Sequence, residues 1–86
     1  MTNTDRAWRL MKDFGKRLKA ARIMSRYETA KDFAERLDMN DTAYRKYERG
    51  ASFPPLDRLA LIVEITGASL DFLLLGKASD RGSKQR

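Results

Sequence analysis

Apolar residues recur at helical spacing along most of the chain, and nowhere do they alternate convincingly with polar residues as in a strand. The clearest case follows Thr29, whose side chain is of the kind that caps helix N-termini. Residues at i, i+3, i+4 and i+7 then form one apolar stripe that must be buried. These residues are Ala30, Phe33, Ala34 and Leu37. The pattern therefore predicts an all-α fold.

A second short helix is predicted after an interruption at residues 38–40. Asn40 is suited to cap it, and Asp41 falls in its first turn, where the helix dipole favours a carboxylate. Gly50 is suited to end this helix. At about 100° per residue its side chains divide between two faces. The inward face carries Tyr44, Tyr47 and Glu48, and the outward face carries Thr42, Arg45, Lys46 and Arg49.

The outward face of this helix admits two interpretations. Its charges could simply be solvated, as runs of charged residues usually are. The alternative is DNA contact, because three cations and a threonine can all hydrogen-bond to phosphates or base edges. Two capped helices joined by a short break form the pattern of a helix-turn-helix, whose second helix enters the major groove. The sequence therefore favours double-stranded DNA as the partner.

Three further helices are predicted around this pair. The first covers about residues 5–23. Pro55 is suited to the first position of a fourth helix, and Ser69 is suited to cap a fifth at residues 70–75. The apolar positions of the first helix are Trp8, Met11, Phe14, Leu18 and Ala21, and those of the fourth are Leu56, Leu59, Ala60, Ile62 and Val63.

Composition narrows the chemistry. Eighteen Lys and Arg against 12 Asp and Glu give a formal charge of +6 on 86 residues, which indicates a polyanionic partner. The absence of cysteine and histidine excludes disulfides, zinc sites and imidazole catalysis. The carboxylates are spread over helix surfaces and no glycine-rich phosphate loop occurs, so we expect no enzymatic activity, no metal, no cofactor and no small-molecule ligand.

The predicted location of the protein follows from its apolar runs. No run approaches the 18 residues of a membrane span, and the charged start lacks the apolar centre of a signal peptide. We therefore expect a soluble cytoplasmic protein that associates with the nucleoid through DNA and has no membrane partner.

Several motifs stand at a characteristic spacing. Arg22 lies near the end of the predicted first helix, Phe33-Ala34 in the second, and Tyr-Glu-Arg-Gly at 47–50 closes the third. A proline follows, and the segment at 69–76 has the sequence Ser-Leu-Asp-Phe-Leu-Leu-Leu-Gly. Together these motifs resemble the helix-turn-helix domain of the phage lambda repressor and Cro class, the xenobiotic-response-element (XRE) family of bacterial regulators.

The resemblance covers residues 14–76 and implies a five-helix lambda-repressor-like domain there. Residues 1–13 then form an N-terminal extension of the first helix beyond the family core. Residues 77–86 contain no apolar residue beyond one alanine, and we expect them to form a disordered basic tail.

The resemblance also implies roles for individual residues. Arg22 and Glu48 match a partly buried ion pair that joins the first and third helices in this family. That role is structural, because loss of either member would leave a poorly solvated charge. The cap and outward positions that contact DNA in such domains are occupied here by Thr29, Asn40, Asp41, Thr42, Arg45, Lys46 and Arg49.

Three positions depart from the family pattern. Ala30 replaces the glutamine that grips a phosphate in many relatives, which puts one phosphate contact in doubt. Tyr44 replaces a smaller aliphatic residue, so its hydroxyl must reach the surface or find a partner. Asp41 stands where glutamine or arginine is typical, and either accepts a hydrogen bond from cytosine N4 or serves only the helix dipole.

The predicted fifth helix carries more apolar residues than one core face requires. Leu70, Leu73 and Leu74 can serve the core, while Phe72 and Leu75 point elsewhere and predict a two-fold dimer contact. The rival surface for that contact is the extension of the first helix, with Trp8.

Two function classes remain open from the sequence. The first is a bacterial or phage transcriptional regulator, a repressor that binds an inverted-repeat operator as a homodimer with helix 41–49 in the major groove. The second is a protein-interaction module, such as the antitoxin of a toxin–antitoxin pair. The basic outward face favours the first class.

Overall fold

The computed structural model describes residues 3–77, and all regular structure in that range is helical. The prediction of an all-α fold with five helices is confirmed. The predicted basic tail lies outside the described residues from position 78 onward. Across residues 3–77, no helix is long and apolar enough to cross a bilayer. The helices are α1 (Asn3–Met24), α2 (Ala30–Arg36), α3 (Asp41–Arg49), α4 (Leu56–Thr66) and α5 (Leu70–Leu75).

Side-chain caps set the starts of the short helices. The hydroxyl of Thr29 accepts a hydrogen bond from the Asp32 N–H at 3.1 Å, and that of Ser69 accepts one from the Phe72 N–H at 3.0 Å. Pro55 differs from its prediction by one position, because it caps α4 instead of occupying the first helical position. Its ψ of 164° is extended, so the helix begins at the next residue.

The core is organised around α1. Helices α3 and α5 pack on α1, α4 contacts it less extensively, and α2 packs on α3. Edge-to-face rings connect the loop before α2 with α3, with centroid distances of 5.2 Å for Tyr27 and Phe33 and 5.4 Å for Phe33 and Tyr44. The buried apolar residues are Phe14, Leu18, Ala21, Ala30, Phe33, Ala34, Leu37, Tyr44, Tyr47, Leu59, Ile62 and Leu73.

Four residues that the pattern predicted to be apolar helix positions are instead exposed, and one of them is Trp8 of α1, which is 55% exposed. Leu56 is 78% exposed and Leu70 is 42% exposed, and Ala60 also faces solvent. Leu56 and Leu70 are each the first residue of a helix that becomes buried only one turn later, at Leu59 and Leu73. Periodicity identifies the side of a helix, but it does not show where along its length the neighbouring helices begin.

Helices α1 and α3 cross at very short range. The crossing point is Gly15, where an added Cβ atom would overlap the carbonyl oxygen of Glu48. A second close contact lies one turn earlier on α1, at Lys12. There Gly50 ends α3 in the left-handed conformation (φ 78°), and a Cβ atom on Gly50 would lie 2.9 Å from the Cα of Lys12. Two glycines therefore permit backbone contact on one side of α3, and this contact fixes its position against α1.

Candidate nucleic-acid interface

Helix α3 is held at both ends by its own sequence. The side-chain oxygen of Asn40 accepts hydrogen bonds from the N–H groups of Thr42 (2.7 Å) and Ala43 (3.3 Å). At the other end, the Gly50 N–H bonds to the carbonyl oxygen of Tyr47 at 3.2 Å. Both caps stand where the sequence predicted them, so the helix presents a fixed surface of two and a half turns.

The two faces of α3 are sharply different. Tyr44 and Tyr47 are buried, and they fasten the inner face to the core. Four residues predicted to contact DNA lie together on the outer face and are exposed. They are Thr42, Arg45, Lys46 and Arg49.

Asp41 is partly exposed in the first turn of α3 and has a cationic neighbour. Its carboxylate lies 3.3 Å from a guanidinium nitrogen of Arg45, one helical turn away. Such an exposed i, i+4 pair contributes only about 0.3–0.5 kcal/mol. Arg45 can therefore exchange Asp41 for a phosphate or a base at little energetic cost.

The N-terminal end of α2 faces the same side of the molecule as the outer face of α3. An open cleft runs between them, bordered by Lys19 of α1, Thr29, Arg45 and Arg49. Ala30, at the position where many relatives have glutamine, is buried. Thr29, by contrast, is exposed at the mouth of the cleft. Glu48 also borders the cleft, but its charge is paired with Arg22. The cleft thus brings Thr29 and the α3 cations into one surface with an excess of positive charge.

Behind this surface, Arg22, Glu48 and Tyr44 form a hydrogen-bonded network. Arg22 is 4% exposed, and its Nε lies 2.7 Å from Glu48 Oε2. A second nitrogen of the same guanidinium donates to the Tyr27 carbonyl oxygen at 2.7 Å. The hydroxyl of Tyr44 donates to Glu48 Oε2, which supplies the partner that a tyrosine at this position requires. The network joins α1 to the inner face of α3.

The network also perturbs two pKa values. Burial lowers the pKa of Arg22, but the hydrogen bond and the charge of Glu48 outweigh that effect, so its pKa is raised and the guanidinium stays charged. Burial, followed by the hydrogen bond to Glu48, raises the pKa of Tyr44 above its ordinary value of 10.0. Tyr44 therefore remains a hydrogen-bond donor.

We expect the stability of the fold to fall in alkali because of Tyr44. The folded chain holds the tyrosine proton more tightly than the unfolded chain, so this stabilisation is complete below the unfolded pKa and declines as pH rises above it. The decline should approach about 1.4 kcal/mol per pH unit. Urea unfolding at about pH 8 and about pH 11 should show a larger loss for the wild type than for Tyr44→Phe. Equal losses in the two proteins would contradict this assignment.

The predicted dimer residues Phe72 and Leu75 lie in different environments. Phe72 is half-buried and packs against the core, whereas Leu75 is 51% exposed. Leu75 borders an apolar groove between the N-terminal half of α1, the loop before α4, and α5. Trp8, 55% exposed, lies on the same half of α1. The groove is lined by Ala7, Leu10, Met11, Phe53, Leu74 and Leu75.

Sequence reasoning missed three residues of this region. Gly15 makes the close crossing possible, and Lys12 donates from Nζ to the carbonyl oxygen of Arg49 at 3.2 Å. The Lys12 ammonium also lies 4.9 Å from the ring centroid of Trp8. Lys19 borders the cleft. The sequence did contain signals for these residues. A glycine inside a helical pattern, such as Gly15, often marks a close approach of another backbone, and lysines at i and i+7, such as Lys12 and Lys19, share one face of a helix.

Comparisons with known proteins agree with this architecture. A family model described as helix-turn-helix matches residues 16–73. Similar proteins include a SPbeta prophage-derived uncharacterized HTH-type transcriptional regulator, YonR, of Bacillus subtilis (strain 168), with 40% identity over 63 residues. The match covers 73% of this chain but 57% of that relative, so the chain spans little more than half of the relative's length. No solved structure matches the chain significantly. The chain belongs to the XRE type of the helix-turn-helix family, and this assignment indicates a DNA-binding regulator, not an enzyme, for the matched residues.

Proposed function

We propose that this protein is a sequence-specific regulator of transcription in a bacterium or phage, acting in the cytoplasm by inserting α3 into the major groove of double-stranded DNA. The single observation that carries the proposal is the asymmetry of α3. Its inner face is fixed by buried tyrosines and an ion pair, while its outer face presents exposed cations. A rigid helix with such a face has the size and charge that the major groove accepts.

The seven predicted contact residues divide by position. Thr42, Arg45, Lys46 and Arg49 face the groove floor and its phosphates. Asn40 uses its side-chain oxygen for the helix cap, which leaves its amide hydrogens free to donate to a phosphate. Thr29 contributes a hydroxyl at the cleft. Asp41 is proposed to hold Arg45 in place until DNA binds.

We further propose that the protein binds as a homodimer and represses by occupying its operator. The apolar groove supports the dimer, because Leu75 of α5 and Leu10 of α1 border the same depression. The two surfaces that the sequence offered as rivals are therefore contiguous, and one two-fold contact can use both. Half-buried Phe72 would support this surface from behind.

A second copy of this chain is the occupant that the charges favour. Two copies of a chain with a formal charge of +6 repel one another, so a stable contact must come from apolar surface. The groove lining is such a surface, and exposed Trp8 lies beside it on α1. Binding to one DNA molecule offsets the remaining repulsion.

Selection from a randomised duplex library tests the function. The expected product is an inverted repeat whose half-site centres lie about 34 Å apart, one turn of DNA, because two α3 helices of a two-fold dimer must enter successive major grooves. Absence of any enriched sequence would overturn the proposed function. If a single half-site is enriched and is bound as tightly as the palindrome, the proposal of DNA recognition stands and the proposal of a dimer is wrong.

The groove is also the observation that favours the second candidate, a protein-interaction module such as an antitoxin. In that case another protein would cover it, and the chain alone would remain monomeric. Light scattering during size-exclusion chromatography separates the two candidates. A concentration-dependent dimer without DNA or other proteins supports a second copy in the groove. A monomer both alone and on the selected duplex supports another protein as its occupant.

Alanine at Lys46 or Arg45 should assign the role of each side chain. If the side chain contacts a base, its replacement should reduce the magnitude of the binding free energy by about 1–3 kcal/mol and relax selectivity at that one operator position only. A residue that contacts phosphate should weaken binding to all sequences alike. Affinities measured against the selected duplex and its single-position variants distinguish the two outcomes. Unchanged affinity for every duplex in both variants would remove these residues from the interface.

A further inference from the structure

Three lysines form an exposed row on α1. Lys12, Lys16 and Lys19 stand at i, i+4 and i+7, so their side chains leave the helix within about 60° of one another. We call them the lysine stripe. It extends for about 10 Å along the helix. On this face of α1 Asp5 lies about two turns before Lys12. From α3, Glu48 borders the same cleft as Lys19, and its carboxylate is paired with Arg22.

Both ends of the lysine stripe meet α3. At one end, Lys12 Nζ contacts the last carbonyl group of α3, that of Arg49, at 3.2 Å. At the other end, Lys19 borders the cleft that Arg45 and Arg49 also border. The lysine stripe and the outer face of α3 therefore form one continuous cationic surface. This surface extends onto α1, outside the two helices of the helix-turn-helix.

The ammonium groups of the lysine stripe are available to a ligand. Among residues 3–77, neither Lys16 nor Lys19 forms an ion pair, and both are exposed. Lys12 has three N–H donors, gives one to the carbonyl oxygen of Arg49 and also lies over the ring of Trp8, so it is the most engaged of the three lysines. Asp13, the acidic residue next to Lys12 in sequence, lies 4.0 Å from Arg17 instead.

We propose that the lysine stripe binds the phosphate backbone of the DNA that flanks the half-site contacted by α3. This inference rests on the proposed function and concerns the length of DNA that the protein covers. Duplex DNA carries one negative charge per about 1.7 Å of axis, so a row about 10 Å long meets several phosphates. Lysine suits this task because an ammonium binds phosphate as a point charge without requiring a defined base sequence.

The experiment compares two lengths of one selected duplex. The short form ends at the outer edges of the two half-sites, and the long form adds about one helical turn on each side. The variant is Lys16→Gln with Lys19→Gln, which leaves the Lys12 contact to α3 intact. The matched control, Arg36→Gln with Lys77→Gln, removes the same charge at two exposed positions, one at the end of α2 and one two residues after α5. Thermal melting should show that both variants are folded.

The quantity to measure is the slope of log Kd against log salt concentration. On the long duplex the slope of the stripe variant should fall by about one unit for each lysine lost, and so by about four units for a dimer that lacks four lysines, while on the short duplex it should match the wild type. The control should match the wild type on both. Equal losses on the two lengths, no loss on either, or the same loss in the control would each overturn the proposal. Failure of the wild type to bind the long duplex would instead overturn the proposed function, and this inference with it.

Discussion

Replacement of Glu48 with alanine should cost a large share of the stability of the fold. It leaves the guanidinium of Arg22, 4% exposed, without its counter-charge, and it leaves the hydroxyl of Tyr44 without an acceptor. Removal of one member of a buried pair costs about 3–5 kcal/mol. Domains of this size have about 5–15 kcal/mol in total. Each kcal/mol shifts the melting temperature by about 4–8 °C, so thermal denaturation should occur about 12–40 °C lower.

Two further variants test whether the loss in Glu48→Ala comes mainly from the unpaired charge of Arg22. Tyr44→Phe removes one hydrogen bond to a carboxylate and keeps the ring, so it should cost about 1.5–3 kcal/mol, less than Glu48→Ala. The triple variant Arg22→Met, Tyr44→Phe, Glu48→Leu replaces the network by apolar side chains and should recover much of the stability lost in Glu48→Ala. A double-mutant cycle with Arg22→Ala, Glu48→Ala and the double variant tests the pair directly. If the two single losses add strictly in the double variant, the two residues do not interact.

Replacement of Leu75 with glutamate should abolish tight operator binding without unfolding the chain. Leu75 borders the apolar groove and is 51% exposed, so a carboxylate there can be solvated in the monomer but not beneath a second copy. Loss of the dimer removes the advantage of two linked half-sites, about 10²–10⁴-fold in affinity. Leu10→Glu, on the opposite wall of the groove, should have the same effect.

A matched control for Leu75→Glu lies on the same helix. Leu70 is 42% exposed in the first turn of α5 and does not border the groove. Leu70→Glu therefore changes charge and exposure to a similar extent and should leave dimer formation and operator affinity unchanged. Light scattering and binding to the selected palindrome measure both properties. If the Leu70 and Leu75 variants behave alike, the groove is not the dimer contact.

Much of α2 and α3 could be predicted because local rules decide them. Thr29, Asn40 and Gly50 act on the backbone within a few residues of themselves, so cap chemistry alone places the helix ends. The outer face of α3 followed from rotation by about 100° per residue. These features do not depend on the other helices.

Features that depend on two distant segments could not be predicted in the same way. The hydrogen bond between Tyr44 and Glu48 is local, because the two residues lie one turn apart on α3. The contact of Glu48 with Arg22 joins α3 to α1, and only the family resemblance implied it. The backbone contact at Gly15 and the groove beside Leu75 likewise arise where separate helices meet. Periodicity contains no information about such meetings, which also explains why Leu70 was wrongly assigned to the core.

The central position of α1 has a consequence for the geometry of the operator. Near its middle α1 touches α3 at Gly15, and its first turns form one wall of the groove beside α5. If two copies associate through that groove, α1 connects the two-fold axis to each α3 helix, and it sets the distance and the angle between them. Each residue adds about 1.5 Å and 100° to that connection. Insertions or deletions between Leu10 and Gly15 should then change the number of base pairs between the half-sites and leave the preferred bases within each half-site the same.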